Sequence, residues 1–164
     1  MSLPTQFFRR ARLSCAFVFL AVVANACGDD TEVASTPATE TYASALGVNI
    51  AAMQTKAENL YYQDVIVGTG TEAIAGKAVS VIYTGWLADG TQFDSNVGGA
   101  PFVVSPLGQA NVIKGWNLGL QGARVGGKRR LVIGSGLAYG AEGSSPSIGK
   151  NKTLIFDITI VAVN

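Results

Sequence analysis

From Leu60 to Asn164 the chain contains one segment of helical character, Trp116–Val125, set among short stretches that read as β-strands. A sheet with one apolar face must cover that face. One short helix can do so only if the sheet curves around it. The strands are legible in the alternation of side chains. Leu60–Val67 ends at Gly68-Thr69-Gly70, and Val79, Val81, Tyr83 and Leu87 alternate with Ser80, Thr84 and Trp86. Asp89-Gly90 is a hairpin turn that returns into Thr91–Asp94. Phe102–Val104 and Lys128–Ile133 follow, and in Thr153–Val163 the residues Leu154, Phe156, Ile158 and Ile160 share one face. The fold class this predicts is α+β, a curved antiparallel sheet wrapped around one short helix. Lys128, Arg129 and Arg130 read as a solvated strand edge beside a turn.

Missing residue types narrow the chemistry. The 164 residues contain no histidine, which removes Ser-His-Asp and Cys-His catalysis and every imidazole metal site. Cys15 and Cys27 are the only cysteines, too few for a thiolate zinc cluster or a disulfide framework. No metal and no cofactor is expected. Catalysis would have to rest on shape, backbone donors, carboxylates or tyrosines.

The N-terminus reads as an address. Arg9, Arg10 and Arg12 precede an apolar run from Leu13 to Ala24 and the small residues Ala24-Asn25-Ala26, the layout of a secretory signal over residues 1–26. The run is shorter than the roughly 20 residues of a permanent spanning helix. Ala24-Asn25-Ala26 fits an ordinary signal-peptidase cut, which would leave a soluble periplasmic or secreted protein. The same triplet before Cys27 resembles a bacterial lipobox, although Ala24 stands where leucine is usual. Lipidation of Cys27 would anchor the chain on the periplasmic side of a bacterial membrane, and the lone cysteine ahead of a polar tether favours it. A chain starting at Cys27 keeps 9 of the 12 basic residues against 11 acidic ones, a net charge of −2. That leaves no electrostatic footprint for nucleic acid.

Residues 27–59 read as tether and lead-in. Gly28–Thr41 is polar and Pro-containing, with too little apolar surface to offset its ordering entropy. Leu46, Ile50, Met53 and Ala57 recur at helical spacing, which predicts a turn or two of amphipathic helix. Residues 60–164 form the domain proper.

Within that domain, five motifs occur in order. They are Val81–Ser95 (VIYTGWLADGTQFDS), Val112–Trp116 with Gly119-Leu120, Val125–Arg130, Leu137–Gly140, and Thr153–Asp157. Together they resemble the FKBP-type peptidyl-prolyl cis-trans isomerases over about two-thirds of the chain. The resemblance implies an FKBP-like sheet with an apolar pocket for an X-Pro peptide. Its implied walls are Tyr83, Phe93, Phe102, Val112, Ile113, Tyr139, Ile148 and Phe156, with Trp116 as the floor under the proline ring. Asp94 is the implied carboxylate at the pocket edge, and the Tyr139 hydroxyl and Ile113 N–H are implied donors to substrate carbonyls. By pattern alone, Phe156 and Val112 are equally at home in a sheet core, and Asp94 could close the turn after the hairpin.

The reaction so implied turns a C–N bond with a barrier of ~18–20 kcal/mol and breaks nothing. An apolar pocket that favours a twisted amide suffices, in keeping with a histidine-free composition. Proline-containing polypeptides are the implied partners of a monomer, with macrolide inhibitors as a further ligand class. The competing reading is a proline-binding chaperone module with little turnover. Three departures bear on substrate and macrolide preference. Pro101–Trp116 is one residue longer than usual, with Val103-Val104 where a second phenylalanine often sits. Ser147-Ile148-Gly149-Lys150 replaces an Ile-Pro-Pro run, and no arginine lies between Ser95 and Ala100.

Overall fold

The computed structural model describes residues 36–164. The signal-like segment and Cys27 lie outside the described residues. Seven strands form one antiparallel sheet: β1 (Gln54–Ala57), β2 (Leu60–Ile66), β3 (Val79–Leu87), β4 (Gln92–Ser95), β5 (Phe102–Val104), β6 (Lys128–Ile133) and β7 (Leu154–Val163). Their order across the sheet is β1-β2-β6-β7-β3-β4, and β5 pairs with β3 beyond the end of β4. Among the described residues there is one α-helix, α1 (Lys114–Gly119). It is shorter than the segment the sequence predicts and begins two residues earlier.

The two faces of the sheet have separate cores. On the inner face Leu60, Leu131, Ile133, Leu154, Ile158, Ile160, Val79 and Val81 are all but fully buried. The helix lies close to this face because its contact ridge is glycine. A Cβ on Gly115 would sit 2.4 Å from Ile133 Cγ2, and one on Gly119 would sit 2.7 Å from Leu131 Cδ1. A side chain at either position would force α1 or the Ile133 and Leu131 side chains to move.

The outer face carries a second cluster. Val132 and Ile155 are fully buried there beneath Leu46, with Tyr42, Val48, Ile50 and Met53 packed around them. The lead-in is therefore built into the domain, and its shape differs from the expectation. Instead of an amphipathic α-helix it forms two 3₁₀ turns, Ser44–Leu46 and Ile50–Ala52, and then β1. The spacing of Leu46, Ile50 and Met53 arises because the two 3₁₀ turns and the residue after the second present apolar side chains to the same outer face of the sheet.

The basic run on β6 also differs from the expected solvated edge. This strand lies between β2 and β7, and Arg129 is only 3% exposed. Burial is tolerable because Asp64, its register partner on β2, accepts from Arg129 Nε at 2.7 Å and Nη2 at 2.9 Å. Arg129 Nη1 donates to the carbonyls of Gly119 and Gln121 at the end of α1. The arginine thus ties the helix to two strands. Arg130 points to the other face, where it pairs with Asp157 and donates to the Leu46 carbonyl at 2.6 Å.

Candidate active site

Between α1, β3–β5 and the loop after β6 lies an open cavity of about 260 Å³. Tyr83, Phe93, Asp94, Phe102, Val112, Ile113, Trp116, Tyr139 and Phe156 line it. These residues come from six separate stretches of chain, and the fold brings them together. Ile148 is the exception among the expected residues. It is buried in the inner core and absent from the lining, its backbone tied to Ser144 in a narrow two-bond bridge. Asn111 lines the cavity and was not anticipated, since a lone polar residue before Val112 carries no pattern.

The floor is an aromatic box. Trp116 is 4% exposed, and its indole meets Tyr83 edge-on at 4.9 Å, Phe156 at 5.3 Å and Phe102 at 6.0 Å between ring centroids. Phe93 stands edge-on to Phe156 at 5.5 Å. These T-shaped contacts match positive ring edges to negative ring faces and hold the walls upright. The space for them is made by Gly85 on β3. A Cβ there would lie 2.7 Å from Phe93 Cζ and 2.8 Å from Phe156 Cε1. The indole Nε1 is buried without a hydrogen-bond partner among the described residues.

Polar groups are few and sit at the rim. The Tyr83 hydroxyl donates to Asp94 Oδ2 at 2.6 Å. Burial and this bond to the carboxylate push the Tyr83 hydroxyl well above the usual tyrosine range, so it stays a neutral donor. Tyr139 is 41% exposed across the mouth, and its hydroxyl makes no hydrogen bond among the described residues.

Two asparagines outside the cavity pin the loops that flank it. Asn117 on α1 accepts from the N–H groups of Gly108 and Ala110 and donates to the Ala110 carbonyl at 2.9 Å. This fixes the approach to Asn111, Val112 and Ile113. Asn96 does the equivalent work after β4. A smaller cavity of about 100 Å³ at the far end of the sheet is lined by Gly68, Gly122, Gly127 and the Asp64–Arg129 pair. It has no comparable set of aromatic walls.

Comparison with known proteins gives the family and the fold. Residues 70–161 match the family described as FKBP-type peptidyl-prolyl cis-trans isomerase. The chain is 43% identical over 105 residues to an FK506-binding protein of Neisseria meningitidis, covering 64% of this chain and 96% of that protein. It is 47% identical over 103 residues to FK506-binding protein 4 of Dictyostelium discoideum, but there the match spans 28% of the relative's length and 63% of this chain. Among solved structures, a peptidyl-prolyl cis-trans isomerase from Pseudomonas syringae superposes with a TM-score of 0.62 at 37% identity. The match covers 68% of this chain and 80% of that one.

Proposed function

The chain belongs to the FKBP-type peptidyl-prolyl cis-trans isomerases, and on that premise we propose that it catalyses rotation about X-Pro bonds of exported polypeptides. The observation that carries this reading is the Trp116-floored aromatic box with one hydrogen-bonded carboxylate at its rim. A planar prolyl amide is stabilised by charge separation between its oxygen and nitrogen. The twisted transition state loses that separation. An apolar box that strips water from the amide therefore favours the twisted form over the planar one. Trp116 seats the proline ring, and Phe93, Phe102 and Phe156 exclude water around it. Asp94, held by Tyr83, and the hydroxyl of Tyr139 orient the flanking carbonyls. No nucleophile takes part.

Export is the second element of the proposal. Residues 1–26 carry the signal, and Cys27 is the lipidated first residue of a protein held on the periplasmic side of a bacterial membrane. Folding chains there wait tens to hundreds of seconds on uncatalysed prolyl bonds, so an anchored isomerase has work to do. The test is a protease-free prolyl isomerisation assay on the purified full-length chain. Turnover supports the enzyme. Tight binding of X-Pro peptides without turnover would replace it with a proline-binding module.

A further inference from the structure

Between β4 and β5 the strand pairing along β3 is interrupted. Thr84 pairs with Ser95 in β4, and Val81 pairs with Phe102 in β5. The six residues between those partners leave the edge of β3 as a loop. Tyr83 N–H and Val81 C=O face this gap, where a regular strand would have supplied peptide groups.

The side chain of Asn96 fills the gap. Its Oδ1 accepts from Tyr83 N–H at 2.7 Å, and its Nδ2 donates to the Val81 carbonyl at 3.1 Å. The same Nδ2 donates to the Ala100 carbonyl, also at 3.1 Å, which closes the loop just ahead of Phe102. The Asn96 backbone N–H completes the exchange by donating to the Tyr83 carbonyl at 3.1 Å. A carboxamide has the donor and acceptor of a peptide group in the same plane. One side chain thus imitates the missing piece of strand. It lies outside the cavity lining and is half-buried.

What this amide holds is one wall of the pocket. Tyr83 carries the hydroxyl that binds Asp94 and the ring that stands on Trp116, and Phe102 meets both rings edge-on. No ion pair among the described residues helps to fix this wall. Asp94 pairs with no cation among the described residues, and Val97–Ala100 carries no charge. We propose that Asn96 is a positioning residue for isomerisation, its carboxamide standing in for an absent peptide group to set Tyr83 and Phe102 around the substrate. This rests on the functional reading above.

The experiment uses two variants of the full-length chain, Asn96→Ala and the isosteric Asn96→Asp. Misplacing a positioned group lowers turnover more than it weakens binding, so Asn96→Ala is expected to lower kcat on the order of tenfold with KM little changed. Asn96→Asp adds a readout that lost stability alone would not give. Its carboxyl faces the Val81 and Ala100 carbonyls, and partial burial together with those oxygens disfavours the ionised form. Protonated, it can accept from Tyr83 N–H and donate to one carbonyl. Its kcat, relative to the wild-type protein in the same buffers, which controls for Asp94 and Tyr83, is therefore expected to recover as pH is lowered and the carboxyl takes up its proton. A folded Asn96→Ala protein with wild-type kcat, or an Asn96→Asp protein whose kcat tracks wild type at every pH, overturns the proposal. The indole N–H resonance of Trp116 separates this from the functional reading. If the wild-type chain shows no turnover, the functional reading fails. A shifted indole resonance in Asn96→Ala would then still support the positioning role, and an unchanged one would overturn it.

Discussion

The Tyr83 hydroxyl donates to Asp94 Oδ2 at 2.6 Å, and this is the one hydrogen bond joining two side chains of the cavity lining among the described residues. It links a β3 residue of the aromatic box to the carboxylate on β4, so each fixes the other. A hydrogen bond to a charged group contributes about 1.5–3 kcal/mol. Tyr83→Phe is expected to lower kcat/KM roughly tenfold and Asp94→Ala to lower it further, because the second removes the carboxylate itself. The Tyr83 hydroxyl lies above its ordinary range, so its proton is retained while free tyrosines titrate. In a Tyr139→Phe background, which removes the other tyrosine hydroxyl of the lining, turnover should stay level as pH climbs through about 10, the ordinary tyrosine value. A fall centred there that Tyr83→Phe abolishes would contradict the assignment.

Gly85 makes a separate prediction, since it is the space behind Phe93 and Phe156. A methyl group at that position cannot be accommodated without moving both rings. Gly85→Ala should cost about 1–3 kcal/mol of stability, as overpacking does. It should also lower kcat/KM while leaving Asp94 and Tyr139 chemically intact. Denaturant midpoints and isomerisation rates on the same protein check both parts. Wild-type values for both would mean that the rings are not confined as described.

The strands could be read from the sequence because each depends on local alternation, whereas the aromatic walls, drawn from separate stretches of chain, came only with the family resemblance that five motifs carry. What escaped depends on register across distant strands. Arg129 resembles an exposed edge residue until β2 brings Asp64 beside it and α1 offers its terminal carbonyls. Asn96 is one polar residue in a loop, and its role exists only because β4 and β5 leave β3 unpaired between them. Ile148 sits in a far loop whose course turns it into the core, away from the cavity lining. The lead-in showed apolar spacing but not the outer sheet face it covers, so the same residues suggested a helix instead of 3₁₀ turns.

The outer face supplies a pH test. Burial works against the charge on Asp157, but Arg130 at 2.6 Å and Lys128 at 3.2 Å outweigh it and hold the carboxyl below its ordinary range. A carboxyl depressed in the folded state adds stability that is fully present above the unfolded value of about 3.9 and is lost as pH falls through the folded one. Asp157→Asn leaves Arg130 unpaired against the Leu46 carbonyl and should cost roughly 2 kcal/mol at neutral pH. That difference from wild type should hold between pH 7 and 5 and shrink below about pH 4. A difference that persists unchanged to pH 2 would show that the ion pairs are not its source.

The lead-in gives the last prediction. Val132 and Ile155 on the outer face are fully buried, and Tyr42–Met53 provides much of their cover. Trimming the chain to begin at Gln54 keeps every residue of the cavity lining but returns those side chains to water. It also removes the Leu46 carbonyl that Arg130 binds and the bond from Ala43 N–H to the Ala88 carbonyl beside the β3–β4 turn. Burial of a large aliphatic side chain contributes about 1.5–3 kcal/mol, so the trimmed protein should lose about 3 kcal/mol or more. Loss of cover should act on the whole fold before it acts on the pocket. The trimmed protein is therefore expected to unfold at lower denaturant, with kcat per folded molecule close to wild type at low temperature. Equal denaturant midpoints for the two proteins would show that the lead-in rests on the sheet without holding it together.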